Sequence, residues 1–191
     1  MPKISAPTVA EHRAMQRAAL VRAGEEVLLA AGLAGVTPRS VCERAGMSRS
    51  SFYDYFATKD DLLVAIAIDA IERWDAEIED ALAGIEPGLP QLRAFVDATM
   101  AMTAEGKHAL AGVLREADLS PSRLEDLMTL HDALLRPVLR VLGDLGVEEP
   151  QRAAVLLEGV LGAGIRLVSH GTDHRVVADD VYRMLTEGLV S

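Results

Sequence analysis

The residues best suited to chemistry on a partner lie between Ser48 and Leu63, in the run SRSSFYDYFATKDDLL. Ser48, Arg49, Ser50 and Ser51 crowd small hydroxyls and a guanidinium into the opening of a short predicted helix. Four aromatics follow within five residues: Phe52, Tyr53, Tyr55 and Phe56. A helix start offers free amides and positive partial charge to a phosphate. Arginine can read guanine through two hydrogen bonds, and hydroxyls can bond to bases or phosphates. Lys59 follows at the start of the next predicted helix, where a cation is mismatched with the helix dipole unless an anion lies nearby. No enzyme constellation accompanies these groups: the chain shows no phosphate-binding glycine loop after a strand, no nucleophile elbow and no paired histidines on one helix face.

The flanking pattern predicts the elements that would position this set. Thr37 to Gly46 reads as a short helix, with Thr37 as cap and Pro38 at the first helical position. Gly46-Met47-Ser48 reads as a tight turn, and Ser48 as the cap of the helix that follows. Helix, glycine turn and short helix form the helix-turn-helix pattern, whose second helix enters a DNA major groove. Upstream, Val9 to Ala31 has helical periodicity (Ala19, Ala23, Val27, Leu28, Ala31), with Gly32 as its stop. Val36, Val41, Ala45, Phe52 and Phe56 would complete a small core against that face. Met1 to Thr8 reads as a disordered arm. Downstream, Thr58 caps a predicted helix from Lys59 to Ala83, with Asp60 and Asp61 in its first turn; about 25 residues would span about 37 Å.

The remainder also reads as helices. Gly84 to Pro90 is a loop, Leu92 to Thr103 is periodic and Gly106 is a break. His108 to Asp118 and Ser122 to Leu145 are helices, the second kinked near Ala133 to Arg136 by Pro137. Gly146 to Pro150 is a loop, Gln151 to Ser169 a helix, and Arg175 to Leu189 the last helix. No stretch alternates with a two-residue period, so the fold class is all-α. The division expected is a three-helix helix-turn-helix domain over residues 9–57 and a helical effector-binding and dimerisation bundle over 58–191.

Thr37-x-x-x-Val41-x-x-x-Ala45-Gly46-Met47-Ser48, followed by Phe52-Tyr53-x-Tyr55-Phe56-x-x-Lys59-x-x-Leu62, resembles the tetracycline-repressor (TetR) family of bacterial transcription regulators. The likeness covers Val9 to Ile71, about a third of the chain. It implies a homodimer that binds double-stranded operator DNA, is released by a small-molecule effector and acts as a repressor. Carried over by position, the resemblance puts Arg49, Ser50, Ser51, Tyr53 and Tyr55 on the DNA-facing side, with Ser48 and Arg39 beside them. Thr37 and Lys59 would each meet a phosphate. Asp54, an acid in the recognition helix, departs from the family's usual pattern, and Met47 stands where valine is usual.

Bulk properties fit an ordinary globular protein of 191 residues. Residues 1–60 carry eight Lys or Arg against six Asp or Glu, a balance of +2, which leaves −12 for the rest of a chain whose net charge is −10. An acidic body repels phosphates, so any DNA contact belongs to the N-terminal part. The single cysteine, Cys42, excludes an internal disulfide, fits a cytoplasmic setting and reads as core. No apolar run reaches the ~18 residues of a membrane span. Gly171 interrupts His170 and His174, so no metal site is expected, nor any cofactor. Trp74, Phe95, Met100, Met128 and His131 are candidate effector contacts, although such a stripe also reads as plain core. The glycines of Gly159 to Gly164 would let helices approach closely, and Gly159, Gly162 and Ile165 are the candidate dimer contacts. The rival reading is an all-α ligand-binding or catalytic bundle whose helix-turn-helix is only structural.

Overall fold

The computed structural model describes residues 8–107, 110 and 136–187. The described residues form α-helices and turns without strands, and the all-α class read from the sequence holds. The elements are α1 (Val9–Gly35), α2 (Pro38–Ala45), α3 (Arg49–Tyr53), α4 (Lys59–Leu82), α5 (Leu89–Ala104), α6 (described over 136–144), α7 (Pro150–Ser169) and α8 (His174–Thr186). Met128, His131, His108 and the predicted Pro137 kink over 133–135 lie outside the described residues. So do most of the helices predicted over His108 to Asp118 and Ser122 to Leu145 and the C-terminal end of the last one.

Several boundaries differ from the sequence reading. Thr8, assigned to a disordered arm, closes a capping box instead: its hydroxyl accepts from the Glu11 amide (3.2 Å), and Glu11 accepts from the Thr8 amide (2.6 Å). Gly32 leaves the helical region (φ 65°, ψ −173°) as expected of a stop, yet one more turn runs on to Gly35. Leu89 and Pro90, read as loop, open α5, and Pro150 likewise opens α7. Proline suits a first turn because its fixed φ is already helical and its missing N–H would have had no partner there.

Two compact units divide the chain, and the division falls inside α4. Among the described residues, the first unit holds α1 to α3 and α4 up to Asp69. Its core is Leu20, Leu28, Val36, Val41, Phe52, Phe56, Leu62 and Ile66, all buried. Phe52 and Phe56, four apart in sequence, stack at 5.8 Å between ring centroids. Ala31, predicted to join this face, is exposed, because the helix breaks at the next residue.

The second unit holds α4 from Ala70 and α5 to α8. Its core runs through Ile78, Leu92, Phe95, Val96, Met100, Val141, Leu157 and Val181. Thr99 and Thr103 are buried in α5 without cost, since each hydroxyl donates to the carbonyl four residues back (2.8 Å in both cases). Asp75–Arg136 and Glu79–Arg140 ion pairs, at 3.3 and 2.9 Å, advance by four residues on both helices and so set α6 alongside α4 in the same direction. Such exposed pairs fix register more than they stabilise.

Candidate nucleic-acid interface

The turn between α2 and α3 is built from its ends inward. Thr37 and Ser40 form a reciprocal capping box at the start of α2 (3.1 and 3.0 Å), and the Ser40 hydroxyl also donates to the Gly35 carbonyl at 2.7 Å. At the other end Gly46 adopts the left-handed conformation (φ 67°, ψ 29°), which a Cβ would penalise, and the Met47 amide donates to the Cys42 carbonyl at 2.9 Å. The chain reverses there, and α3 begins three residues later. Cys42 is buried under the turn, and that burial pushes its thiol above the ordinary cysteine range.

Ser48 occupies the cap position of α3 but does not act as a side-chain cap. Its hydroxyl lies 2.8 Å from those of both Ser50 and Ser51, so three hydroxyls bond one another at the helix start. This differs from the sequence reading because neighbouring serines compete with the backbone amide for the same oxygen. Arg49 is exposed and has no hydrogen-bond or ion-pair partner among the described residues. Tyr53 is 57% exposed and stands edge-on to the buried Phe52 (5.4 Å, 75°). Ser50, Arg49 and Tyr53 therefore present a guanidinium, a hydroxyl and a phenol to solvent from one five-residue helix.

The other predicted contacts are already engaged. Arg39 is exposed and paired with Glu43 at 2.7 Å. Tyr55 is half-buried, and its hydroxyl donates to Gln16. Lys59 is half-buried, and its ammonium donates to the carbonyl of Leu33 at the end of α1. The cation thus sits at the negative end of one helix dipole while opening another helix, which offsets the mismatch noted from the sequence. Asp54 is exposed as the C-cap of α3. Sequence reasoning missed Arg13, Gln16 and Arg17, all of which touch the residues after α3. Their i, i+3, i+4 spacing on α1 is the signal that could have shown them.

Residues 20–66 match the model of the bacterial regulatory proteins, tetR family. Among solved structures, a transcriptional regulator FadR from Bacillus subtilis in complex with stearoyl-CoA superposes with a TM-score of 0.77, at 16% identity over 92% of this chain and 99% of that one. The TetR-like regulator LfrR from Mycobacterium smegmatis in complex with proflavine gives 0.64 at 22% identity, covering 92% and 98%. The TetR-family regulator PfmR from Thermus thermophilus gives 0.69 at 20%, covering 90% and 99%. A search of curated proteins finds no match. The match is confined to the segment that carries α2 and α3, and over residues 20–66 that segment is tetR-like.

The candidate effector residues are partly brought together. Trp74 and Phe95 meet edge to face at 6.2 Å in the second unit. Among the described residues, the buried Trp74 indole N–H has no acceptor, and the buried Gln91 side-chain oxygen, one turn before Phe95, has no donor. Gln91 uses its amide nitrogen on the Ile85 carbonyl at 3.1 Å, which fixes its orientation. Met100 is fully buried in the same core cluster, where it packs against Gly164.

The glycine run of α7 has two faces. A Cβ on Gly164 would stand 3.1 Å from both Met100 and Val181, so Gly164 serves close packing within the subunit. A Cβ on Gly159 would meet nothing, and on Gly162 only the Arg166 guanidinium at 3.8 Å. Gly159 lies on an exposed apolar groove with Leu156, Val160, Ala163, Leu167 and Met184. Leu156 and Leu167 are 67% and 53% exposed. Ile165 packs partly against its own core. Among the described residues no cluster of His, Cys, Asp or Glu could hold a metal, and no helix is long and apolar enough to cross a membrane.

Proposed function

We propose that this chain is a regulator of the TetR family: a homodimeric, operator-binding repressor of the cytoplasm, relieved by a largely apolar effector. The observation that carries the DNA reading is the face of α3, where Arg49 has no partner among the described residues and stands beside the exposed Ser50 and Tyr53. A merely structural helix-turn-helix needs no such set, and an exposed guanidinium at a helix start is suited to base edges and phosphates. Residues 9–57 are the reading unit. Residues 58–191 receive the effector and dimerise.

The second copy is expected on the α7–α8 groove, because exposed leucines at that density mark an interaction face. Gly159 allows close approach there, and Gly162, beside Arg166 on the same helix, is the second glycine expected at the interface. The effector is expected beside Trp74 and Phe95. An apolar body carrying one hydrogen-bond acceptor would satisfy the buried indole N–H, which otherwise costs about 1–3 kcal/mol. The bound stearoyl-CoA and proflavine of the two structural relatives are consistent with a large apolar or aromatic ligand.

Selection of bound sequences from a random duplex pool tests the reading. The expected result is a two-fold symmetric site with half-sites about one helical turn, or a small multiple, apart, as a symmetric dimer demands. No enrichment from the pool, together with no retention on heparin, would leave the rival in place: a ligand-binding bundle with a structural helix-turn-helix.

A further inference from the structure

We infer that Arg13 is a positioning residue for sequence reading: from α1 it clamps the C-terminal end of the recognition helix and so sets the angle at which Arg49 and Tyr53 are presented. The inference rests on the DNA-binding reading above.

A five-residue helix cannot hold itself, because the cost of nucleating one turn is repaid only over many more residues. Its last carbonyls also lack helical partners. In α3 the C-cap is Asp54, and Arg13 donates from Nη2 to the Asp54 carbonyl at 2.8 Å, across 41 residues of sequence. The same guanidinium lies over the Tyr55 ring, 5.3 Å from its centroid. One turn further along α1, Gln16 accepts from the Tyr55 hydroxyl, and Arg17 lies 5.2 Å from the Phe56 ring centroid. Three side chains on one face of α1 thereby hold three successive residues, Asp54, Tyr55 and Phe56. A cation at this point also complements the negative end of the α3 dipole. The opening end of α3 is tied through local bonds of the turn, the Met47 amide to the Cys42 carbonyl and the Ser51 amide to the Ser48 carbonyl, while the Ser48 hydroxyl bonds only to neighbouring hydroxyls. The clamp is the long-range tie at the other end, and the two together set where the reading face points.

Arg13 could instead serve DNA directly as a phosphate contact, and the two roles separate experimentally. Arg13→Ala, Arg13→Gln and Gln16→Leu are compared with the unaltered protein, first by hydrogen exchange without DNA. Faster exchange of the Phe52 to Phe56 amides in Arg13→Ala, with α4 and α5 still protected, is the result expected; unchanged exchange overturns the clamp. Affinity is then measured on the selected operator and on random duplex over a series of salt concentrations. Arg13→Ala should lower the operator-to-random ratio about tenfold, as expected for a lost hydrogen bond to a charged donor, with the salt slope unchanged. Arg13→Gln, which keeps a neutral donor for the Asp54 carbonyl, should recover most of that ratio, and Gln16→Leu should lower it less. Equal loss on both duplexes with a slope smaller by about one per subunit would make Arg13 a phosphate contact and overturn the inference. Absence of any sequence preference in the unaltered protein would instead defeat the DNA-binding reading, which the exchange measurement does not depend on.

Discussion

Arg49 and Lys59 are both cations near the recognition helix, yet their surroundings assign them different energetics. Arg49 spends nothing inside the protein, so Arg49→Ala should leave thermal stability unchanged. It should relax preference at particular base pairs by about 1–3 kcal/mol. Lys59 holds the last turn of α1 through the Leu33 carbonyl. One of its three N–H groups is committed there, and the others remain for a phosphate. Lys59→Ala should therefore cost roughly 1 kcal/mol of stability and also lower the salt slope by about one per subunit. Thermal melts and salt titrations on operator and random duplex check both. Equal loss on the two duplexes for Arg49→Ala would remove its reading role.

Among the elements, α7 carries two kinds of glycine, and substitution should tell them apart. A side chain at Gly164 would drive into Met100 and Val181, so Gly164→Leu should destabilise by about 1–3 kcal/mol through overpacking. Gly162 has space around it within the subunit. Gly162→Leu should keep the fold and raise helix stability by up to about 1 kcal/mol, while splitting or distorting the dimer. Calorimetry and light scattering separate the outcomes. A Gly162→Leu protein that remains dimeric with unchanged operator affinity would place the partner on another face.

For the whole molecule the question is how effector binding could reach the DNA. One helix, α4, begins at Lys59 and carries Trp74 four turns on, roughly 22 Å along its axis at 1.5 Å per residue. A ligand wedged beside Trp74 that tilts α4 would act on the end that opens with Lys59. Moving the equilibrium from mostly bound to mostly released needs on the order of 5.5 kcal/mol of differential affinity. About 200 Å² of apolar burial at ~25 cal/mol per Å² supplies nearly that, if the ligand binds only the released state. Quenching of Trp74, the single tryptophan, is expected at the concentrations that release DNA. Release by a compound that leaves this fluorescence untouched, with Trp74→Phe still inducible, would move the site elsewhere.

The helices, the capping residues and the glycine turn were legible without coordinates, because each depends on neighbours within four residues in sequence. Thr37, Pro38 and Gly46 specify α2 and its exit locally, and Phe52 and Phe56 announce their burial by their spacing. The charge imbalance between residues 1–60 and the rest likewise needs only counting. Partners distant in sequence were not legible. Nothing in the run around Lys59 points to the Leu33 carbonyl, and nothing around Asp54 or Tyr55 points to Arg13 and Gln16, 41 and 39 residues away. The same holds for Gly164, which looks like Gly159 and Gly162 until α5 and α8 are packed against it. Local hydrogen bonding shapes the elements, whereas which cation stays free for DNA and which glycine stays free for a second copy depend on how the helices pack in three dimensions.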